Sequence, residues 1–374
     1  MMRMGRVEMG GMGTAIGFVA YNWNFGFPRG PCALRRRWGI RMEAGPAPCP
    51  FGSNLAGSRW DEVDGGKAFI VKPPDSVQPR CIAHFLGGIA IGKSPRIGYP
   101  EFLQALADSG VLVIATPYEI SFDYMKTIDK CLDRYDRAIE SLDQTQVAGI
   151  PVIGIGHSAG ALLHVIQSTL FAPKYRVANV LISFNNRNAS DAIPSFDVIK
   201  STATALGPEF FETGTALEEE LFTSAVKIAA GAPGVGDELS LVLFESLSFL
   251  RQLRPLLIEI AEGVEEFHPT PEETRMAVRN GYDVLRTLVV KFTVDTIDQS
   301  EIAEEILSSR TELKSVVLDG THTTPLIRDP VESSLGSPLQ ELTEPFRDPL
   351  LGEIRGLLAT INEFLDTFLP MEQS

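Results

Sequence analysis

The chain of 374 residues is poor in the features on which several protein classes depend. It holds four cysteines, Cys32, Cys49, Cys81 and Cys131, and none stands at a disulfide-type or metal-type spacing from another. No disulfide framework is therefore expected, and a reducing compartment fits. No apolar run is long enough to span a bilayer. Basic residues are outnumbered, 33 Lys and Arg against 48 Asp and Glu, for a net charge of −15. An acidic body of this kind excludes electrostatic docking on nucleic acid or on anionic membranes. No cluster of His, Cys and carboxylates has metal-ligand spacing, and the glycines match neither a Walker nor a dinucleotide fingerprint. Neither a metal nor a cofactor is expected.

The charge is unevenly placed. Residues 1–50 carry seven arginines against Glu8 and Glu43, a net +5, which leaves −20 for the remainder. That Arg-rich, acid-poor segment lacks sustained periodicity and reads as an organelle-targeting or disordered extension.

What is present is a stretch that organises the rest, Ile150–Gln167 (IPVIGIGHSAGALLHVIQ). A short apolar run leads into Gly156-His157-Ser158-Ala159-Gly160, and an apolar helix-like segment follows. Strand, sharp turn and helix with a serine at the apex is the nucleophile-elbow pattern of α/β-hydrolases. The two glycines are needed where side chains would strike the adjoining strand and helix. The backbone N–H of Ala159 then faces the carbonyl oxygen under attack.

Around it the chain alternates. Lys67–Val71, Cys81–Leu86, Val111–Thr116, Asn179–Phe184, Thr287–Thr293 and Lys314–Leu318 read as strands; Tyr99–Ser109, Tyr124–Leu142, Glu301–Ser309 and Leu350–Phe368 read as helices. This predicts an α/β fold, a mostly parallel sheet flanked by helices, built from residues 60–185 and 283–370. Between them, residues 186–282 lose the βα rhythm and read as a helical cap insertion. Ala216–Ala230, Ser240–Leu250 and Pro255–Val264 are helical there, and a helix start falls at Thr270 or Pro271.

Hydrolases of this fold place nucleophile, acid and base in that chain order, each just past a strand. Ser158 is the candidate nucleophile, Asp295 the acid with Asp298 as alternative, and His322 the base. With only five histidines, each can be weighed. His84 and His164 suit buried structural roles, and His268 lies in the cap. His157 points away from the base position and is kept as a substrate-contact candidate. The strand ending at Gly87-Gly88 makes the N–H groups of Gly88 and Ile89 candidates for a second oxyanion donor. Tyr118 and Phe122 fall at the carboxyl edge of the sheet, where ligands bind.

His84–Gly88 (HFLGG) with Gly92, Gly110–Tyr118 (GVLVIATPY), Gly156–His164 (GHSAGALLH), Ser183–Asn186 (SFNN), Pro269–Thr274 (PTPEET) and Gly320–Pro325 (GTHTTP) resemble the DUF1350 proteins. These are α/β-hydrolase-like proteins of cyanobacteria and of plant and algal plastids. The resemblance spans about residues 60–370 and leaves the first 50 outside. It implies the hydrolase fold and a plastid location, in the stroma. It singles out Asn185, Asn186 and the segment near Glu272, and supports Ser158 and His322. Ala159 departs from the Asn found in plant members; a backbone donor survives that change, but a side-chain contact does not. The expected activity is that of a serine esterase or lipase-type acyl hydrolase on a small-molecule acyl ester. An acyltransferase or thioesterase with the same triad, and a non-catalytic lipid- or pigment-binding protein, are the alternatives.

Overall fold

The computed structural model describes residues 59–89, 91–171, 176–193, 196–212, 247–327 and 340–369, all within the unit Ala56–Ser374. The expected targeting segment, the expected helix Ala216–Ala230 and the first part of Ser240–Leu250 lie outside the described residues.

Eight strands form one sheet: β1 (Trp60–Val63), β2 (Ala68–Val71), β3 (Cys81–Leu86), β4 (Val111–Ala115), β5 (Val152–His157), β6 (Arg176–Ile182), β7 (Arg286–Val294) and β8 (Glu312–Thr321). Their order across the sheet is β1-β2-β4-β3-β5-β6-β7-β8. β1 and β2 pair antiparallel, β2 joins β4 antiparallel, and every pairing from β4 to β8 is parallel. With helices on both faces, this is the α/β-hydrolase fold. β3 and β4 are buried at every position, as strands covered on both faces must be.

Alternate residues of the strands enter separate cores. Leu181 and Val289 pack with the elbow helix Ala159–Leu170 and with the helix Tyr124–Ser141. Val180, Leu288 and Val290 pack on the opposite face with Phe102, Leu103 and Leu106 of the helix Pro100–Asp108 and with Leu357, Ile361 and Leu365 of the closing helix Gln340–Asp366. β1 was not expected from the sequence. It is four residues long, exposes Asp61 and Glu62, and is reversed by Asp64, Gly65 and Gly66, all at positive φ. β6 ends two residues sooner than expected, because Ser183 turns the chain at φ 50° and Phe184 N–H bonds Ser300 Oγ.

Between β6 and β7 the elements formed by the described residues are helices, including Phe196–Leu206, Leu247–Ala261 and Pro271–Gly281. The last of these is started by Thr270, whose side chain accepts from Glu273 N–H while Glu273 accepts from Thr270 N–H. Glu259 of Leu247–Ala261 accepts from Ser121 Oγ at 2.6 Å and Phe122 N–H at 2.7 Å, which fastens that helix beyond the end of β4. Among the described residues no helix is long and apolar enough to cross a membrane.

Candidate active site

Four parallel strands deliver the site. Gly87 follows β3, Ser158 follows β5, Asp295 follows β7 and His322 follows β8, each as the first residue past its strand. All four therefore gather at the carboxyl edge of the sheet, where such folds bind ligands.

Ser158 holds φ 56° and ψ −120°, a strained conformation for a residue with a side chain. The strain persists because the two glycines let helix and strands close on it. A Cβ at Gly156 would stand 2.5 Å from the backbone of Gly160 and Ala161, and one at Gly160 would stand 2.0 Å from the Leu86 carbonyl oxygen. Ser158 N–H donates to Ile182 O at 2.9 Å, which ties the elbow to β6. Ser158 as a whole keeps about 9% of its surface exposed.

Asp295 Oδ2 accepts from His322 Nδ1 at 2.8 Å, and the carboxylate side chain has no exposed surface. Burial alone would raise its pKa, but the His322 hydrogen bond and charge, the Ser183 hydroxyl and Ile297 N–H together lower it. Its other oxygen accepts from Ile297 N–H and Asp298 N–H at 3.2 and 3.0 Å. The alternative acid, Asp298, is directed elsewhere. It accepts from Ser300 Oγ at 2.6 Å and Ser300 N–H at 3.1 Å, at the start of the helix Ser300–Leu307. Burial and then the Asp295 charge raise its carboxyl despite those bonds.

His322 meets Asp295 through an irregularity the sequence did not reveal. Phe292 pairs with Leu318 but Val294 pairs with Thr321, so β8 carries one extra residue. A one-residue shift in register turns every later side chain to the other face, and here it brings residue 322 opposite 295. Gly320 makes it possible, with φ 144° and no room for a Cβ, which would stand 2.5 Å from Thr324 Oγ1. Thr324 in turn accepts from Thr321 N–H at 2.9 Å and donates to Glu353 of the closing helix at 2.7 Å.

Several expected contacts take other roles. Gly88 N–H is not a free oxyanion donor, because it donates to Tyr99 Oη at 2.7 Å. Among the described residues no hydrogen bond engages Ile89 N–H or Ala159 N–H, which leaves both open to a ligand. Tyr118 is buried and donates to Gly87 O at 2.6 Å, bracing the turn that follows β3. Phe122 packs in the core against Phe267, ring centroids 5.0 Å apart. His157 is buried with both ring nitrogens engaged, by Tyr99 Oη and the His322 carbonyl, so it is not a substrate contact. Asn185 Nδ2 donates to Ile297 O at 2.9 Å, and Asn186 N–H donates to Gln299 Oε1 at 2.8 Å. Both asparagines thus hold the loop that carries Asp295. His268 is exposed and neighbours Glu273.

Beneath the elbow lies a buried cation that sequence reading missed. Arg176 donates to His164 Nδ1 at 2.8 Å, Gln167 Oε1 at 3.2 Å and His84 Nδ1 at 3.3 Å. The far nitrogens of the rings face Ile155 O at 3.1 Å and Thr116 Oγ1 at 2.8 Å. Both imidazoles are therefore neutral acceptors that solvate the guanidinium. Burial lowers Arg176 to about 10 and, with the Arg176 charge contributing, puts both histidines well below their ordinary value. Among the described residues no group of three or more His, Cys, Asp or Glu is placed to hold a metal.

Solved structures with a similar fold include a mutant of the esterase rPPE, at 12% identity and a TM-score of 0.48, covering 84% of this chain and 83% of that one. Others are the thioesterase domain from the curacin biosynthetic pathway (15%, 0.42, 78% and 98%) and a lipase in its open form (14%, 0.42, 80% and 98%). No curated protein matches the chain. The model of the family described as "Protein of unknown function (DUF1350)" matches residues 59–227 and 240–367, and the chain belongs to that family.

Proposed function

We propose that this protein is a serine hydrolase acting on an acyl ester. The observation that carries the reading is the part-buried Asp295–His322 pair, 2.8 Å apart, delivered to the same sheet edge as a serine at φ 56°. Ser158 Oγ attacks the ester carbonyl while His322 Nε2 takes its proton. Asp295 holds Nδ1–H and stabilises the imidazolium. Ala159 N–H and Ile89 N–H receive the negative charge on the carbonyl oxygen. Collapse returns the proton to the departing alcohol, and water then repeats the sequence on the acyl-enzyme. No step needs a cofactor.

A second reading, a hydrolase-fold protein that binds a lipid or pigment without turnover, rests on one observation. Among the described residues no hydrogen bond joins Ser158 Oγ to His322 Nε2. Unliganded sites often hold this bond long until substrate binds, so the first reading is preferred. Transfer of the acyl group to an acceptor other than water uses the same triad.

For the substrate we propose an apolar acyl chain bound under the cap. The support is the cap's composition, although Leu221, Phe222, Leu241, Leu243 and Phe244 lie outside the described residues, and Phe211 is packed in the core. Assay of p-nitrophenyl esters from acetate to palmitate tests it. Each buried methylene contributes about 0.8 kcal/mol, so four carbons should raise kcat/KM around a hundredfold. A flat or falling series with an active enzyme restricts the substrate to small esters.

A further inference from the structure

Two buried side chains that no step above uses connect the oxyanion turn to the base loop. Tyr99 stands immediately before the helix Pro100–Asp108, and His157 immediately before the nucleophile. Gly88 N lies 2.7 Å from Tyr99 Oη, Tyr99 Oη lies 2.9 Å from His157 Nδ1, and His157 Nε2 lies 2.9 Å from the His322 carbonyl oxygen.

The direction of every bond is forced. A carbonyl oxygen only accepts, so His157 Nε2 carries a hydrogen. Burial, with the His322 charge second, lowers His157 to about 3, so the ring is neutral and Nδ1 is bare. Tyr99 must then donate to Nδ1, which leaves its oxygen to accept from Gly88 N–H. The surroundings leave little freedom. The Tyr99 ring packs edge-on against Phe85 with centroids 4.8 Å apart, and a Cβ at Gly87 would strike it at 2.6 Å. A Cβ at Gly88 would stand 3.4 Å from both His157 Nδ1 and Ser158 Cβ, so turn and elbow are already in contact. The His157 and His322 rings lie 4.9 Å apart.

We propose that Tyr99 and His157 are positioning residues that hold the β3 turn, the elbow and the His322 main chain in one register. Through them Ile89 N–H and the His322 imidazole face Ser158 at the same time. The hydrogen-bond chain is a property of the fold, whereas its kinetic role rests on the serine-hydrolase reading. Tyr99→Phe keeps the ring and removes two of the three bonds. His157→Phe removes the bond to His322, and His157→Gln restores an N–H for it.

The test combines histidine ¹⁵N NMR on the full chain with ester turnover and fluorophosphonate labelling rates. Wild type should show His157 as the Nε2–H tautomer at neutral pH, and Tyr99→Phe should keep that tautomer while the Nδ1 resonance shifts on losing its hydrogen bond. Misplacement by a fraction of an ångström to one ångström should lower kcat by about 10- to 100-fold. KM should stay within about twofold, and His157→Gln should recover part of what His157→Phe loses. A Tyr99→Phe protein with wild-type kcat overturns the proposal, as does a wild-type His157 protonated on Nδ1. A loss shared by kcat and the thermal transition, with no recovery in His157→Gln, reduces both residues to packing and also overturns it. If the tautomer is as expected but wild type neither turns over esters nor labels, the hydrolase reading fails and takes the kinetic role with it.

Discussion

The buried histidines should make this protein acid-labile well above the range where carboxylates titrate. His84, His157 and His164 are fully enclosed, and each is held neutral with a pKa below its ordinary 6.5. Burial is the first cause in each case; after it come His164 and then Arg176 for His84, Arg176 for His164, and His322 for His157. A lowered folded-state pKa means the unfolded chain binds more protons below 6.5, so the stability present above that pH is lost as pH falls. One unit below 6.5, each histidine favours the unfolded chain by about 1.4 kcal/mol, and three together by about 4 kcal/mol. Domains of this kind have about 5–15 kcal/mol in total. Urea unfolding followed by circular dichroism from pH 8 to pH 5 should show stability falling steeply below pH 6.5, approaching three protons taken up per chain. His84→Gln should remove about one proton from that slope. Asp295, whose carboxyl is lowered, contributes only at more acid pH, below the ordinary carboxylate value of 3.8. A flat stability between pH 7 and pH 5 would refute the account of the Arg176 cluster.

The acid assignment predicts that Asp295→Asn lowers kcat by about 10⁴-fold while Asp298→Asn chiefly shortens the stability of its helix, read from steady-state rates and urea midpoints. Gly160→Ala forces a Cβ onto the Leu86 carbonyl at 2.0 Å and should destabilise by about 3 kcal/mol. Gly356→Ala, in the closing helix with nothing within 4 Å, should stabilise by up to about 1 kcal/mol; equal effects in the two urea curves would contradict the packing described.

Much of the parallel sheet and its helices can be read from local pattern, because buried parallel strands are short apolar runs bounded by turn residues. Val111–Ala115 and Cys81–Leu86 are of that kind, and the elbow has a strict spacing imposed by Gly156 and Gly160. What escapes is set by contacts distant in sequence. β1 is half-exposed and depends on its partner β2. The oxyanion role of Gly88 is removed by a tyrosine eleven residues on, and nothing in the spacing of Tyr99 signals that. The bulge in β8 has one local sign, Gly320 before Thr321-His322, which is visible only once the pairing with β7 is known. Asn185 and Asn186 stand at a strand end like ligand contacts, yet their groups bond the Asp295 loop over a hundred residues away. Arg176 is an arginine in an apolar run, and only the packed structure reveals that its partners are two neutral imidazoles and an amide.

The most direct measurement of the central claim is intact-protein mass spectrometry after incubation with a fluorophosphonate, followed by peptide mapping. The account predicts a single adduct on Ser158, absent in Ser158→Ala and slowed by orders of magnitude in His322→Ala, with circular dichroism unchanged in both. A folded wild-type protein that takes up no label, or a Ser158→Ala protein that labels as fast as wild type, would contradict it.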